Sequence, residues 1–246
     1  MILKACYRVG KTHLNTLKNK CLITTYVDGD DGRRSRLGMH DHLRDMGRRI
    51  IREERRDRAW DEETANKILQ DENAPSSLPG LSIWSHIPFP EDASDWRSLR
   101  RLRILVVKHD SWRDRTPSHA ERGRLRPQDI FRNVRCGELR WLRWDGAPFE
   151  ELPQGLCSTN IRVLESRDSY IREVPTASLP NLQHLDVSYC RFLKRLDPGI
   201  GRLTALRYLN LGYCRELTSL PKDMQSKQLK FFFPLKKLNS RNKCPP

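Results

Sequence analysis

Seven histidines (His13, His40, His42, His86, His109, His119, His184) and seven cysteines are the residues of this 246-residue chain that could ligate metal or serve as base and nucleophile. Their spacing supports neither role. There is no HExxH and no GxSxG, and His40 and His42, two residues apart, make a poor helical metal pair. Cys6, Cys21, Cys136, Cys157, Cys190, Cys214 and Cys244 form no CxxC pair and are odd in number, so reduced thiols are expected rather than a zinc site or a disulfide framework. Val9-Gly10-Lys11-Thr12 has the end of a phosphate loop, but Ala5 stands where its first glycine belongs and no apolar strand ending in Asp follows. No catalytic set emerges, and the chain is expected not to be an enzyme. One small group stays of interest, Met39-His40-Asp41 at the start of a predicted helix. A helix N-terminus favours negative charge, and an imidazole can donate a hydrogen bond to a phosphate oxygen. From residue types alone, a helix cap explains the pair more simply.

The elements around this group are short and polar. Leu14–Ile23 reads as an amphipathic helix running into a strand, Leu22–Tyr26. Val27-Asp-Gly-Asp-Asp-Gly32 has hairpin-turn chemistry, and a return strand is expected near Arg36–Met39. The next helix places Leu43, Met46, Ile50 and Ile51 on one face. Helix, two-stranded wing and helix predict a small winged-helix-like unit within residues 1–72. Residues 73–98, with Pro75, Pro79, Pro88 and Pro90, read as a linker.

From residue 99 to 225 a repeat takes over. Segments beginning at Leu102, Leu139, Ile161, Leu182 and Leu206 follow LxxLxL or a close variant, and the last four starts are 22, 21 and 24 residues apart. That is the period of a leucine-rich repeat. The first, fourth and sixth positions are expected to point inward and the others outward on a short strand. Cys190 and Cys214 fall three residues past the sixth position, where a small side chain can pair with backbone groups of the turn. Each unit closes on a second apolar run, such as Phe149-Glu-Glu-Leu-Pro153 and Ile171-Arg-Glu-Val-Pro175. A 37-residue gap from Leu102 to Leu139 predicts an exposed insertion at Ser111–Arg126. Residues 226–246, with Phe231-Phe232-Phe233 and Lys236-Lys237, are expected to be an irregular basic tail outside the repeat. A truncated or mis-spliced product would account for it. The fold class is therefore α/β: a winged-helix-like unit, then a short leucine-rich-repeat solenoid with a parallel sheet.

The phrase Met39-His-Asp-His-Leu-Arg-Asp-Met-Gly-Arg-Arg-Ile-Ile-Arg-Glu53 resembles the MHD region of plant NB-ARC proteins with leucine-rich repeats, in their TIR-containing branch. Lys20-Cys21-Leu22-Ile23, Arg58-Ala59-Trp60-Asp61 and Ile68-Leu69 are similar to the same family, and the resemblance spans about residues 1–225. It implies that residues 1–72 are the C-terminal part of an NB-ARC switch controlled by ADP and ATP. It also implies that His40 contacts the β-phosphate of ADP and that Asp41 helps hold the resting arrangement. The phosphate loop and most of the nucleotide cage are missing, so weak or no ADP binding is expected of this chain alone.

The formal charge is +15, and 14 Arg/Lys against 5 Asp/Glu between Arg97 and Arg143 supply most of it. A solvated basic face of the repeats is the simple reading. A nucleic-acid-binding winged helix is the alternative, disfavoured by Glu53, Glu54 and Asp57 in the helix from His40. A plain repeat scaffold or a non-functional gene product also stays open. The leading expectation is a fragment of a plant intracellular immune receptor acting in defence signalling. Its outward strand positions, Arg103, Arg140, Trp141, Arg143, Arg162, Glu165, His184, Asp186, Arg207, Tyr208 and Asn210, would bind a pathogen effector, a guarded host protein or the receptor's own NB-ARC. No apolar run suits a signal peptide or a membrane span, and a cytoplasmic location is expected, with the nucleus as alternative.

Overall fold

A computed structural model describes residues 10–28, 34–54, 58–59, 63–65, 78–84, 96–108, 135–221 and 230–232. Two compact units divide the chain, Met1–Arg58 and Ala59–Pro246.

The first unit is a helix, a hairpin and a helix. Helix α1, Gly10–Asn19, half-buries Leu14 and Leu17. It closes when Cys21 turns left-handed (φ 55°), Leu22 N donates to Leu17 O (2.9 Å) and Cys21 N donates to Lys18 O (2.9 Å). This is a Schellman ending, made here on a cysteine instead of glycine. Strands β1 (Thr24–Asp28) and β2 (Arg34–Gly38) pair antiparallel, Thr24 opposite Gly38. Helix α2, Asp41–Glu54, carries the predicted apolar positions. Leu43 is half-buried, but Met46 and Ile50 are exposed.

The second unit is built on an eight-stranded sheet in the order β10-β9-β8-β7-β6-β5-β4-β3. Its strands are β3 (Arg58–Ala59), β4 (Gly80–Trp84), β5 (Ile104–Lys108), β6 (Trp141–Trp144), β7 (Val163–Glu165), β8 (His184–Asp186), β9 (Tyr208–Asn210) and β10 (Lys230–Phe232). From β4 to β10 every neighbouring pair is parallel. The five leucine-led segments are thus adjacent strands, in chain order. The register aligns Leu81, Leu105, Leu142, Leu164, Leu185 and Leu209 in one row, all withdrawn from water. Leu78, Leu102, Leu139, Ile161, Leu182 and Leu206 form a second buried row at the first position. Each such side chain is worth roughly 1.5–3 kcal/mol of burial, and no single repeat could hide it without its neighbours.

Two predicted boundaries are corrected. The stretch read as a linker contains a strand and a repeat: Leu78-Pro-Gly-Leu81-Ser-Ile83 is LxxLxL-like, begins 24 residues before Leu102, and buries Leu78, Leu81 and Ile83. The tail read as irregular supplies β10, whose register sets Phe231 beside Leu209 in the leucine row. The predicted insertion at 111–126 lies outside the described residues.

The turn after each strand is also repeated. The second residue past the sixth position is left-handed in four successive units: Gly146 (φ 67°), Asp168 (51°), Tyr189 (64°) and Tyr213 (62°). The residue after it points inward. Ser169 Oγ accepts from Ala147 N (3.0 Å), Cys190 Sγ donates to Ser166 O (3.1 Å) and Cys214 Sγ donates to Val187 O (3.1 Å). This is the role expected of the two cysteines. Burial pushes the thiols of Cys136, Cys190 and Cys214 up to about 12, so at neutral pH they are protonated donors rather than nucleophiles.

Candidate protein-binding face

The face of the sheet opposite the leucine rows carries the second, third and fifth repeat positions. At the second position Arg103, Arg140, Arg162, Gln183 and Arg207 follow one another. Their backbone is tied from repeat to repeat: Arg103 O accepts from both Arg140 N (2.9 Å) and Trp141 N (3.1 Å). Arg140 O does the same for Arg162 N and Val163 N, Arg162 O for Gln183 N and His184 N, and Gln183 O for Arg207 N and Tyr208 N. The guanidinium of Arg103 pairs with Glu138 at 3.1 Å. Arg162, half-buried, and Arg207, exposed, make no ion pair among the described residues. A row of cations with part of its charge uncompensated therefore runs along the strands.

The third position is partly aromatic. Trp141 is half-buried, Val163 beside it is fully buried, and His184 stacks on Tyr208 with centroids 4.0 Å apart and planes 1° from parallel. The fifth position is acidic and internally neutralised. Glu165 accepts from Trp141 Nε1 (3.3 Å) and lies 3.5 Å from His184 Nε2 and 3.7 Å from Arg167 Nη2. Asp186 is held by Arg167 Nη2 (2.9 Å) and Nε (3.1 Å), and by Ser188 N and Oγ at 3.2 and 2.7 Å. Arg143 is engaged by Asp145 at 2.6 Å, and Asn210 Oδ1 accepts from Gly212 N at 3.0 Å.

Burial corrects part of the expected contact set. Glu165, His184, Asp186 and Asn210, expected to face outward, are all buried, Asp186 completely. Arg167 and Ser188 close over Asp186, and Trp141 and His184 flank Glu165, so these groups organise the face instead of presenting themselves on it. Burial raises the Glu165 carboxyl, but the contact with His184 and the positive charges of Arg167 and Arg143 outweigh it and hold the pKa below the ordinary value. Arg167 was missing from the expected set. It follows the sixth position of its repeat, just outside the strand pattern, and its charge sits across from two carboxylates.

In the first unit, Met39, His40 and Asp41 are all exposed. His40 precedes α2, its carbonyl accepts from Arg44 N (3.0 Å) and its Nδ1 faces His42 N at 3.4 Å. With Nδ1 turned to the backbone, a neutral ring carries its proton on Nε2, free to donate. Asp41 lies in the first helical turn and pairs with Arg44 at 2.6 Å. Gly10-Lys11-Thr12 opens α1, but residues 1–9, where a preceding strand would run, lie outside the described residues. One exposed imidazole at a helix start, beside an aspartate already paired, does not make a nucleotide site by itself.

A family model described as Leucine Rich Repeat matches residues 181–203, which include β8 and the turn that buries Cys190. The second unit is a leucine-rich-repeat array. Disease resistance protein RUN1 of Vitis rotundifolia is 26% identical over 225 residues, covering 80% of this chain and 16% of that protein. Disease resistance protein RML1A of Arabidopsis thaliana is 27% identical over 227 residues, covering 87% and 20%. RPV1 of Vitis rotundifolia is 26% identical over 218 residues, covering 80% and 15%. The chain is thus similar to plant disease resistance proteins over most of its length, as its sequence motifs implied, and spans a fifth or less of these relatives. The leucine-rich repeat domain of the type III effector XopL superposes with a TM-score of 0.35 at 18% identity, over 66% of this chain and 70% of that one. The array assignment rests on the strand ladder and not on that superposition. No helix among the described residues is long and apolar enough to cross a membrane.

Proposed function

We propose that this chain is a piece of a plant immune receptor whose leucine-rich-repeat array binds a protein through the outer face of its strands. The observation that carries the reading is the division of charge on that face. Arg143 and Arg167 are spent on Asp145, Glu165 and Asp186, while Arg162 and Arg207 carry no such partner among the described residues. The neutralised centre is a rigid platform with Trp141 and Tyr208 half-exposed on it, and the arginine row supplies attraction for an acidic patch. A pathogen effector, a guarded host protein and the receptor's own NB-ARC region are the partner classes in view. Arg162→Glu with Arg207→Glu should weaken capture of acidic partners from plant extract and flatten its salt dependence. Equal capture by wild type and the double variant would overturn the assignment of this face.

Met39, His40 and Asp41 belong, in this reading, to the ADP- and ATP-controlled switch of the whole receptor. The support is the Nε2–H of His40 at the start of a 14-residue helix, where an anion is favoured. The isolated chain should bind ADP weakly or not at all and should not hydrolyse ATP. Titration calorimetry checks this, and a micromolar ADP affinity would contradict it.

A further inference from the structure

The turns that follow β7, β8 and β9 carry four aromatic rings that the strand face does not use. Tyr189 and Tyr213 stack with centroids 4.6 Å apart at 9°, and Tyr170 and Phe192 stack at 5.3 Å and 17°. All four are between 38 and 60% exposed. Tyr189 and Tyr213 also sit in left-handed backbone, at φ 64° and 62°. A bulky side chain is strained there. The equivalent place in an earlier turn is Gly146 at φ 67°, so the turn itself needs no side chain. The sequence thus accepts backbone strain to set two tyrosines in water.

Arginines accompany the rings. Arg191 and Arg215 follow the buried thiols Cys190 and Cys214 in successive turns, both are exposed, and neither makes an ion pair among the described residues. Rigid aromatics beside arginine are the side chains that anchor protein interfaces. We propose that these turns form a second docking surface, for a protein segment in which apolar side chains alternate with carboxylates. The stacked rings spend their inner faces on one another and leave their edges to solvent, which suits a peptide better than nucleobases seeking open ring faces. Arg191 and Arg215, exposed and without an ion pair among the described residues, disfavour a second copy of the same turns and favour an acidic occupant. This surface does not depend on the strand face.

The test is selection of a random-peptide phage library on the whole chain, with the recovered peptides titrated against two double variants. Tyr189→Gly with Tyr213→Gly removes the outer rings and keeps the turn conformation. Arg191→Glu with Arg215→Glu reverses the charge on exposed positions. Expected are acidic, apolar-rich peptides whose affinity falls at least about tenfold in both variants, with the thermal unfolding midpoint of the glycine variant unchanged or raised, since glycine relieves the left-handed strain. No enrichment, a basic consensus, or binding indifferent to either double variant would overturn the proposal. A lowered midpoint in the glycine variant would assign the rings to folding and count against it. Tighter binding of oligothymidine than of the peptides would replace it with a nucleic-acid surface.

Discussion

Leu81, Leu105, Leu142, Leu164, Leu185 and Leu209 of the second unit are withdrawn from water, whereas Met46 and Ile50 of α2 in the first stay exposed. Both sets are written in the sequence with a clear period, one across repeats and the other along a helix. Period alone decides which residues share a face. It does not supply something for that face to rest against. A stacked repeat brings its own neighbour from the same chain. The charges divide the same way: Arg167 reaches two buried carboxylates, while Asp41–Arg44, Asp45–Arg48 and Arg49–Glu53 are exposed pairs along one helix.

The contrast breaks most readily at the leucine row. Leu185→Ala should cost about 3 kcal/mol in urea unfolding, while Met46→Ala should stay within about 0.5 kcal/mol; equal losses would erase the difference between the units. Next comes Asp186→Ala, which strands the Arg167 guanidinium and the Ser188 donors and should cost about 2 kcal/mol, with Asp186→Asn milder. Because Glu165 titrates below its unfolded value, its contribution is complete above the ordinary carboxylate pKa and is lost as pH falls through the lower folded value. The stability gap between wild type and Glu165→Gln should therefore narrow on acidification below the ordinary carboxylate range. A gap constant across that window would show that the carboxylate is not held by His184 and the arginines. Cys190→Ala removes one bond to Ser166 O and should cost about 1 kcal/mol. In the same experiment the exposed Cys21 should react with a maleimide at once, and Cys136, Cys190 and Cys214 only on unfolding. Smallest of all, Asp41→Ala should shift stability by about 0.5 kcal/mol or less.

The five repeats were legible because leucine spacing reports directly on which side chains share the interior. Leu78-Pro-Gly-Leu81-Ser-Ile83 carried the same spacing but was hidden by the prolines around it, which suggested a connector. Phe231 was hidden for a different reason: three consecutive phenylalanines do not reveal which one falls in register with Leu209. On the outer face, alternation set Glu165 and Asp186 at strand positions expected to meet a partner, and both are buried. What it could not give is how far Arg167 and Trp141 reach over them, since that depends on side-chain paths between repeats about 20 residues apart. The left-handed tyrosines were illegible too, because their type argues against the conformation they adopt.

The paired acceptance of two amides by Arg103 O is indistinguishable from that of Arg140, Arg162 and Gln183, although 37 residues separate Leu102 from Leu139 and only 21 to 24 separate the later starts. Alignment between repeats is therefore fixed along one seam and is insensitive to the length of chain spent elsewhere in each repeat. Insertions and deletions away from the seam can accumulate in such a protein without a shift in strand pairing. A lineage could remodel the loops of this array while leaving its binding strands in step.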